Sequence, residues 1–142
     1  MTRYLLDTNI ISNITKATPS ETLVSWMAER ANKDLFISAL TIGEIRRGIL
    51  EKPNGRKRRE LEAWFAGPDG PPALFAGRVL PFDGKAALFW ARLMAEGTAA
   101  RRPRSPLDMI VAAVAQANDC VVVTHNEKDF AGLAIINPLR SS

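Results

Sequence analysis

Short apolar runs, each closed by a polar residue and separated by stretches of helical character, constrain this chain more than any other feature. Tyr4-Leu5-Leu6 ends at Asp7, Leu35-Phe36-Ile37 ends at Ser38, and Cys120-Val121-Val122-Val123 ends at Thr124. The last run is near-continuous in apolar character, not alternating, which is the pattern of a parallel strand covered on both faces. Parallel strands need crossovers, and the crossovers are helical. The chain is therefore expected to form an α/β sandwich with a mostly parallel central sheet flanked by helices. At 142 residues it is expected to be a single domain, 1–142, large enough for a full core.

Strands are expected at 3–6, 35–38, 78–81 and 134–136, besides 120–124. Pro81 suits the third of these to a sheet edge, because proline removes a ladder donor. Helices are expected over 10–14, from Ser20 with Leu23, Val24, Met27 and Ala28 on one face, and over 41–51, 56–66, 83–96 and 106–118. Residues 67–72, rich in glycine and proline, read as a loop. Ser105-Pro106 is a cap followed by proline at the first helical position.

Bulk properties narrow the function classes. Lys and Arg outnumber Asp and Glu by 19 to 15, giving a net charge of +4, so anionic partners are plausible but not established by charge alone. One cysteine and one histidine exclude an intrachain disulfide and a two-histidine acid/base centre, and make a Cys-based zinc site improbable. Cys120 reads as a small buried hydrophobe. No segment approaches a membrane span, and the start of the chain lacks the apolar stretch of a signal peptide, so a cytoplasmic location is expected.

Four acids stand where strands hand over to helices: Asp7, Glu44, Asp108 and Asp129. In an α/β fold that edge is where active sites are built. Each acid also has a plain structural reading. Asp7 suits an N-cap, Thr41-x-x-Glu44 a capping box, Ser105-x-x-Asp108 a near relative of one, and Asp129 a surface turn. Taken together they would repel one another unless a hard divalent cation, which prefers oxygen ligands, lay between them. The joint pattern reads as a metal-dependent enzyme acting on phosphates. Two basic clusters, Arg56-Lys57-Arg58-Arg59 and Arg101-Arg102-Pro103-Arg104, are either solvated surface or phosphate contacts. The second is favoured for substrate because it leads into Asp108, and Arg46 is a further candidate on the helix of Glu44. Trp26, Trp64 and Trp90 lie in amphipathic helices and read as core or interface.

Leu5-Leu6-Asp7-Thr8-Asn9, Ser38-Ala39-Leu40-Thr41-Ile42-Gly43-Glu44, and Asp108 followed by Val121-Val122-Val123-Thr124-x-Asn126-x-x-Asp129-Phe130 resemble, in order and spacing, the PIN-domain family. The likeness is nearest to the VapC-type ribonuclease toxins of toxin–antitoxin pairs. The resemblance implies a PIN-like three-layer sandwich and a Mg²⁺- or Mn²⁺-dependent endoribonuclease. It also implies a homodimer and a small antitoxin that blocks the site. Asp7, Glu44 and Asp108 match the family's core acids and metal ligands, and Thr8 and Thr124 match hydroxyl positions beside them. Many members carry an acid where this chain has Asn126, so either Asn126 or Asp129 fills the fourth catalytic position, and one or two ions remain open. Two other readings stand: a phosphotransfer domain of receiver or haloacid-dehalogenase type, and a nucleic-acid-binding PIN relative without catalysis. Against the first, Asn9 stands where a dehalogenase-like site wants a second acid.

Overall fold

The computed structural model describes residues 2–140. Five parallel strands, β1 (Arg3–Leu6), β2 (Leu35–Ser38), β3 (Val79–Leu80), β4 (Cys120–Val123) and β5 (Ile135–Ile136), form one sheet in the order β3-β2-β1-β4-β5. From β1 the chain builds outward through β2 to β3, then returns to add β4 and β5 on the other side. The order therefore reverses between β1 and β4, which pair along Arg3–Cys120 to Leu6–Val123. A crevice outside the carboxyl ends of the strands forms at such a switch point.

Both sheet faces are covered, as the unbroken apolar runs require. Successive side chains alternate between faces, so Leu5 and Val122 join one core and Leu6 and Val123 the other. The first core is closed by α6 (Gly84–Ala99) and α7 (Pro106–Ala117), through Ala86, Leu93, Met109, Val111 and Val114. The second is closed by α1 (Thr8–Ile14) and α2 (Glu21–Ala28), through Ile10, Ile11, Leu23 and Trp26. Burying each Leu, Ile, Val or Met side chain among these contributes about 1.5–3 kcal/mol. The helix α3 (Ala39–Leu50) follows β2, and α4 (Arg56–Ala66) packs beside it.

Several boundaries differ from the sequence expectation. The first helix starts at Thr8 rather than residue 10, capped by Asp7. The third starts at Ala39, because the Ser38 hydroxyl, not Thr41, caps it by accepting from Thr41 N at 3.2 Å. Thr41 and Glu44 therefore form no capping box. The expected loop 67–72 ends inside a short helix, α5 (Pro71–Leu74), with proline at its first position. Gly70 there is obligatory in space: a Cβ would stand 2.2 Å from the Phe65 carbonyl oxygen. The helix expected over 83–96 runs on to Ala99.

Candidate active site

Asp7 follows β1 directly and is 5% exposed. Its backbone N continues the ladder to Val123 O at 2.9 Å, so its side chain is set at the mouth of the crevice. Oδ1 accepts from Thr8 N at 2.8 Å, which is the capping role. Oδ2 accepts from the Thr124 hydroxyl at 2.9 Å and from Asn9 Nδ2 at 3.3 Å. Asn9 also donates to Thr124 Oγ1 at 3.1 Å and accepts from His125 N at 3.3 Å, tying the ends of β1 and β4 together. Burial pushes the Asp7 carboxyl up from 3.8 to about 6, against the lowering by its hydrogen bonds from Thr124 and Thr8; the charges of Asp108 and Glu44 push it further the same way. The buried cap is an uncomfortable anion.

Glu44 sits in the second turn of α3, too far along to serve the helix terminus. Its Oε1 accepts from the Thr8 hydroxyl at 2.6 Å. Thr8 Oγ1 lies 3.0 Å from Thr41 Oγ1, itself 3.3 Å from Ser38 Oγ. A hydroxyl has one proton, and here Thr8 gives it to the carboxylate, while the buried Thr41 and Ser38 fix the Thr8 rotamer. Glu44 is thus held by a relay that begins at the end of β2.

Asp108 occupies the first turn of α7, where its N–H donates to the Ser105 cap at 3.3 Å. Partial burial raises its pKa; the Ser105 side chain opposes this, and Asp129 and Glu44 add to the rise. Asp129 lies in a 3-10 turn (Glu127–Phe130) and is exposed. Asn126 Nδ2 donates to its carboxylate. The two candidates for the fourth position are therefore a bonded pair, with Asn126 lining the acidic cleft and the Asp129 carboxyl against that of Asp108.

Asp7, Glu44 and Asp108 line one open cleft of about 470 Å³, with Lys16, His125 and Asn126 among the remaining walls. No described salt bridge reaches any of these acids, nor Asp129. His125 is held below its usual pKa by burial and then by Lys16, so at neutral pH it supplies no charge. Lys16 and the structural role of Asn9 were not anticipated. Asn9 bonds side chains 115 residues away, a pairing that only the β1–β4 register creates.

The basic candidates divide. Arg46 turns from the cleft to α4, where it meets Glu62 at 3.8 Å and the Phe65 ring at 5.8 Å. Arg104 is spent on the fold, donating to Leu93 O at 2.7 Å. Arg101 and Arg102 are exposed.

The donor set suits a hard divalent ion: oxygen atoms only, two carboxyls raised in pKa, no neighbouring ion pair. Among the described residues, however, no three Asp, Glu, His or Cys side chains are gathered closely enough to clasp one ion. In this geometry Glu44 is drawn to the Thr8 hydroxyl. Asp7 and Asp108 could hold such an ion, with Glu44 a ligand directly or through a water.

Residues 4–136 match the PIN domain family model. Over 136 residues the chain is 38% identical to the VapC ribonuclease Y4jK of Sinorhizobium fredii and 33% identical to Toxin FitB of Neisseria gonorrhoeae; each alignment spans 94% of this chain and 96% of the relative. The structure superposes on the FitAcB crystal structure from Neisseria gonorrhoeae with a TM-score of 0.88 at 31% identity, covering 97% of this chain and 99% of that one. With its acids at the carboxyl edge of a five-stranded parallel sheet, the chain belongs to the PIN domain family.

Proposed function

We propose that this chain is a metal-dependent endoribonuclease that hydrolyses RNA phosphodiester bonds as the toxin of a toxin–antitoxin pair. The observation that carries the reading is one cleft walled by Asp7, Glu44 and Asp108, with Asp7 raised to about 6 and no basic partner in any described ion pair. The names ribonuclease and toxin carried by relatives above 30% identity support it.

Bound Mg²⁺ or Mn²⁺ would supply Lewis-acid polarisation of the phosphoryl group and a water acidified toward neutral pH. The chain's residues do the positioning. Thr124 and Asn9 aim one oxygen of Asp7 and the Thr8 amide aims the other. Thr8 aims Glu44, which would take a proton from an attacking water. Asn126 presents a polar edge to the cleft, and Asp129 is bonded to it and lies against Asp108. No side-chain nucleophile is required.

A nuclease of cytoplasmic RNA must be restrained in the cell that makes it, which supports a small protein antitoxin. An apolar groove of about 440 Å³ between α1, α3 and α4, walled by Ile11, Ile45, Ile49, Leu61 and Trp64, opens beside Glu44. It has the form that accepts an amphipathic helix. Phe82, Trp90 and Leu107 cluster where α6 and α7 begin, with Trp90 Nε1 on Pro106 O at 3.1 Å. That cluster supports pairing of two copies. No helix of the described residues is long and apolar enough to cross a membrane.

The test is purified chain incubated with total RNA, after chelation and again with Mg²⁺ or Mn²⁺ restored. Cleavage that needs the ion and is lost in Asp7→Asn is the expected result. Cleavage that survives thorough chelation, or persists in Asp7→Asn, rejects the reading.

A further inference from the structure

The 3-10 turn Glu127–Phe130 carries both candidates for the fourth position of the site, Asn126 as its cap and Asp129 within it. Such a turn has poor hydrogen-bond geometry and three residues per revolution, so residues three apart share a side and contacts from outside must hold its form. That spacing brings Asn126 and Asp129 together, and Asn126 Nδ2 donates to the Asp129 carboxylate. The start of the turn is tied by Asn126 N to Thr124 Oγ1 at 3.0 Å. Its end is tied by Phe130, which is buried in the core. Glu127 lies a third of a revolution round from the bonded pair and reaches the other way.

The Glu127 carboxylate meets the chain that follows β5. Asn137 Nδ2 donates to Glu127 Oε2 at 2.8 Å, and Arg140 Nε reaches the same oxygen at 2.7 Å. The Asn137 amide is itself oriented: its Oδ1 accepts from Leu139 N at 3.1 Å, which turns the NH2 side to Glu127. Asn137 stands directly after β5, which pairs with β4 along Val122–Ile135 and Val123–Ile136. The 3-10 turn that follows, Pro138–Arg140, buries Pro138 and packs against α2. The anchor is therefore the sheet itself. The two donors are unequal. In the ion pair Arg140 is 77% and Glu127 37% exposed, and surface pairs of this kind contribute little. The Asn137 bond is partly buried and charge-assisted, so it carries most of the tie.

We infer that Glu127 is a positioning residue which, through Asn137, fixes the turn and thereby sets Asn126 and Asp129 against Asp108. This rests on the ribonuclease reading above, because it assigns the support of that site's fourth position. Asp129 acts on Asp108 both as a neighbouring charge and as a bonded partner, so the two carboxyls lie close. Thr124 and Phe130 hold the ends of the turn and leave its middle free to twist. Released at Glu127, the turn carries the Asp129 carboxyl away from Asp108 and draws Asn126 with it.

The experiment breaks the bond and then rebuilds it in reverse, in the full chain. Asn137→Asp alone sets two carboxylates face to face. Adding Glu127→Gln restores the bond with donor and acceptor exchanged, while the substituted carboxylate still accepts from Leu139 N. Heteronuclear NMR of the metal-free chain reads the side-chain NH2 of Asn126. In Glu127→Ala and in Asn137→Asp that signal moves toward the position of solvent-exposed amides, and in the double variant it returns. In the same two single variants kcat for RNA cleavage falls about tenfold, as for loss of a support behind a site ligand, at a temperature where circular dichroism shows the fold intact; the double variant recovers it. Arg140→Ala leaves both readings near those of the wild type. A kcat that stays at the wild-type value while Tm falls shows a structural role alone and overturns the positioning role. A double variant no better than Asn137→Asp, or an Arg140→Ala loss equal to that of Glu127→Ala, overturns the tie through Asn137. Absence of RNA cleavage by the wild-type chain under any divalent ion rejects the ribonuclease reading, whereas an Asn126 signal unmoved by Glu127→Ala overturns the tie while leaving that reading intact.

Discussion

Asp7→Asn in the metal-free protein gives a stability change whose pH dependence follows from burial. In the folded chain the Asp7 carboxyl titrates at about 6 against an ordinary value of 3.8. At about 1.4 kcal/mol per pH unit, that gap makes ionised Asp7 cost about 3 kcal/mol of folding free energy at neutral pH. The sign follows from proton binding. Between the two values the folded state holds the proton more tightly than the unfolded one, so stability is fully present below about pH 3.8 and is lost as pH rises through about 6. Asparagine does not ionise and escapes this loss. It does leave Asn9 Nδ2 facing an amide and crowds Thr124 with donors, at a cost that does not vary with pH. The difference between variant and wild type, read in EDTA by thermal or urea unfolding from pH 4 to 8, therefore grows in the variant's favour by about 2.4 kcal/mol, roughly 8 °C in Tm at this size. Saturating Mg²⁺ reverses the order at pH 8 by stabilising the wild type alone. A difference that stays flat with pH, or that grows toward acid, refutes the argument.

Three further outcomes are expected. Thr8→Val removes the donor to Glu44, and a hydrogen bond to a charged group is worth about 1.5–3 kcal/mol, so kcat for RNA cleavage falls at least about tenfold with the fold retained; an unchanged kcat removes Glu44 from the chemistry. Arg46→Ala changes stability little, since the Arg46–Glu62 pair is more than a third exposed, and leaves RNA affinity unaltered, whereas a clear loss of affinity would return Arg46 to the substrate site. Phe130→Ala opens a cavity beneath the 3-10 turn, where Phe130 is 1% exposed, and costs about 3–5 kcal/mol by urea denaturation; a cost below 1 kcal/mol would mean that this turn is not anchored through the core.

The sheet and its helices were largely legible because local signals and tertiary demands agree. The run 120–124 reads as a doubly covered strand, and β4 lies between β1 and β5 with both cores against it. Ser105-Pro106 announces α7, and the structure caps it there. Where two signals compete, the local reading failed. Ser38 and Thr41 are both good caps three residues apart, and reading Ser38 as the end of the strand moved the helix start to Thr41. The strand runs through Ser38 and the same residue also caps the helix, which places Glu44 a turn deeper and removes its structural explanation. The acids were legible as a set from their strand-to-helix positions. Their support was not: Asn9 gains its bonds to Asp7 and Thr124 only when β1 pairs with β4. Arg46 carried the right charge on the right helix, but the neighbouring α4 offered Glu62 and Phe65 first.

Anomalous scattering from a crystal of this chain soaked in Mn²⁺ tests the shared-ion claim most directly. The expected result is a peak coordinated by carboxylate oxygens of Asp7 and Asp108, with Glu44 reaching it through a water. A chain that cleaves RNA yet shows no manganese at those two side chains would contradict it.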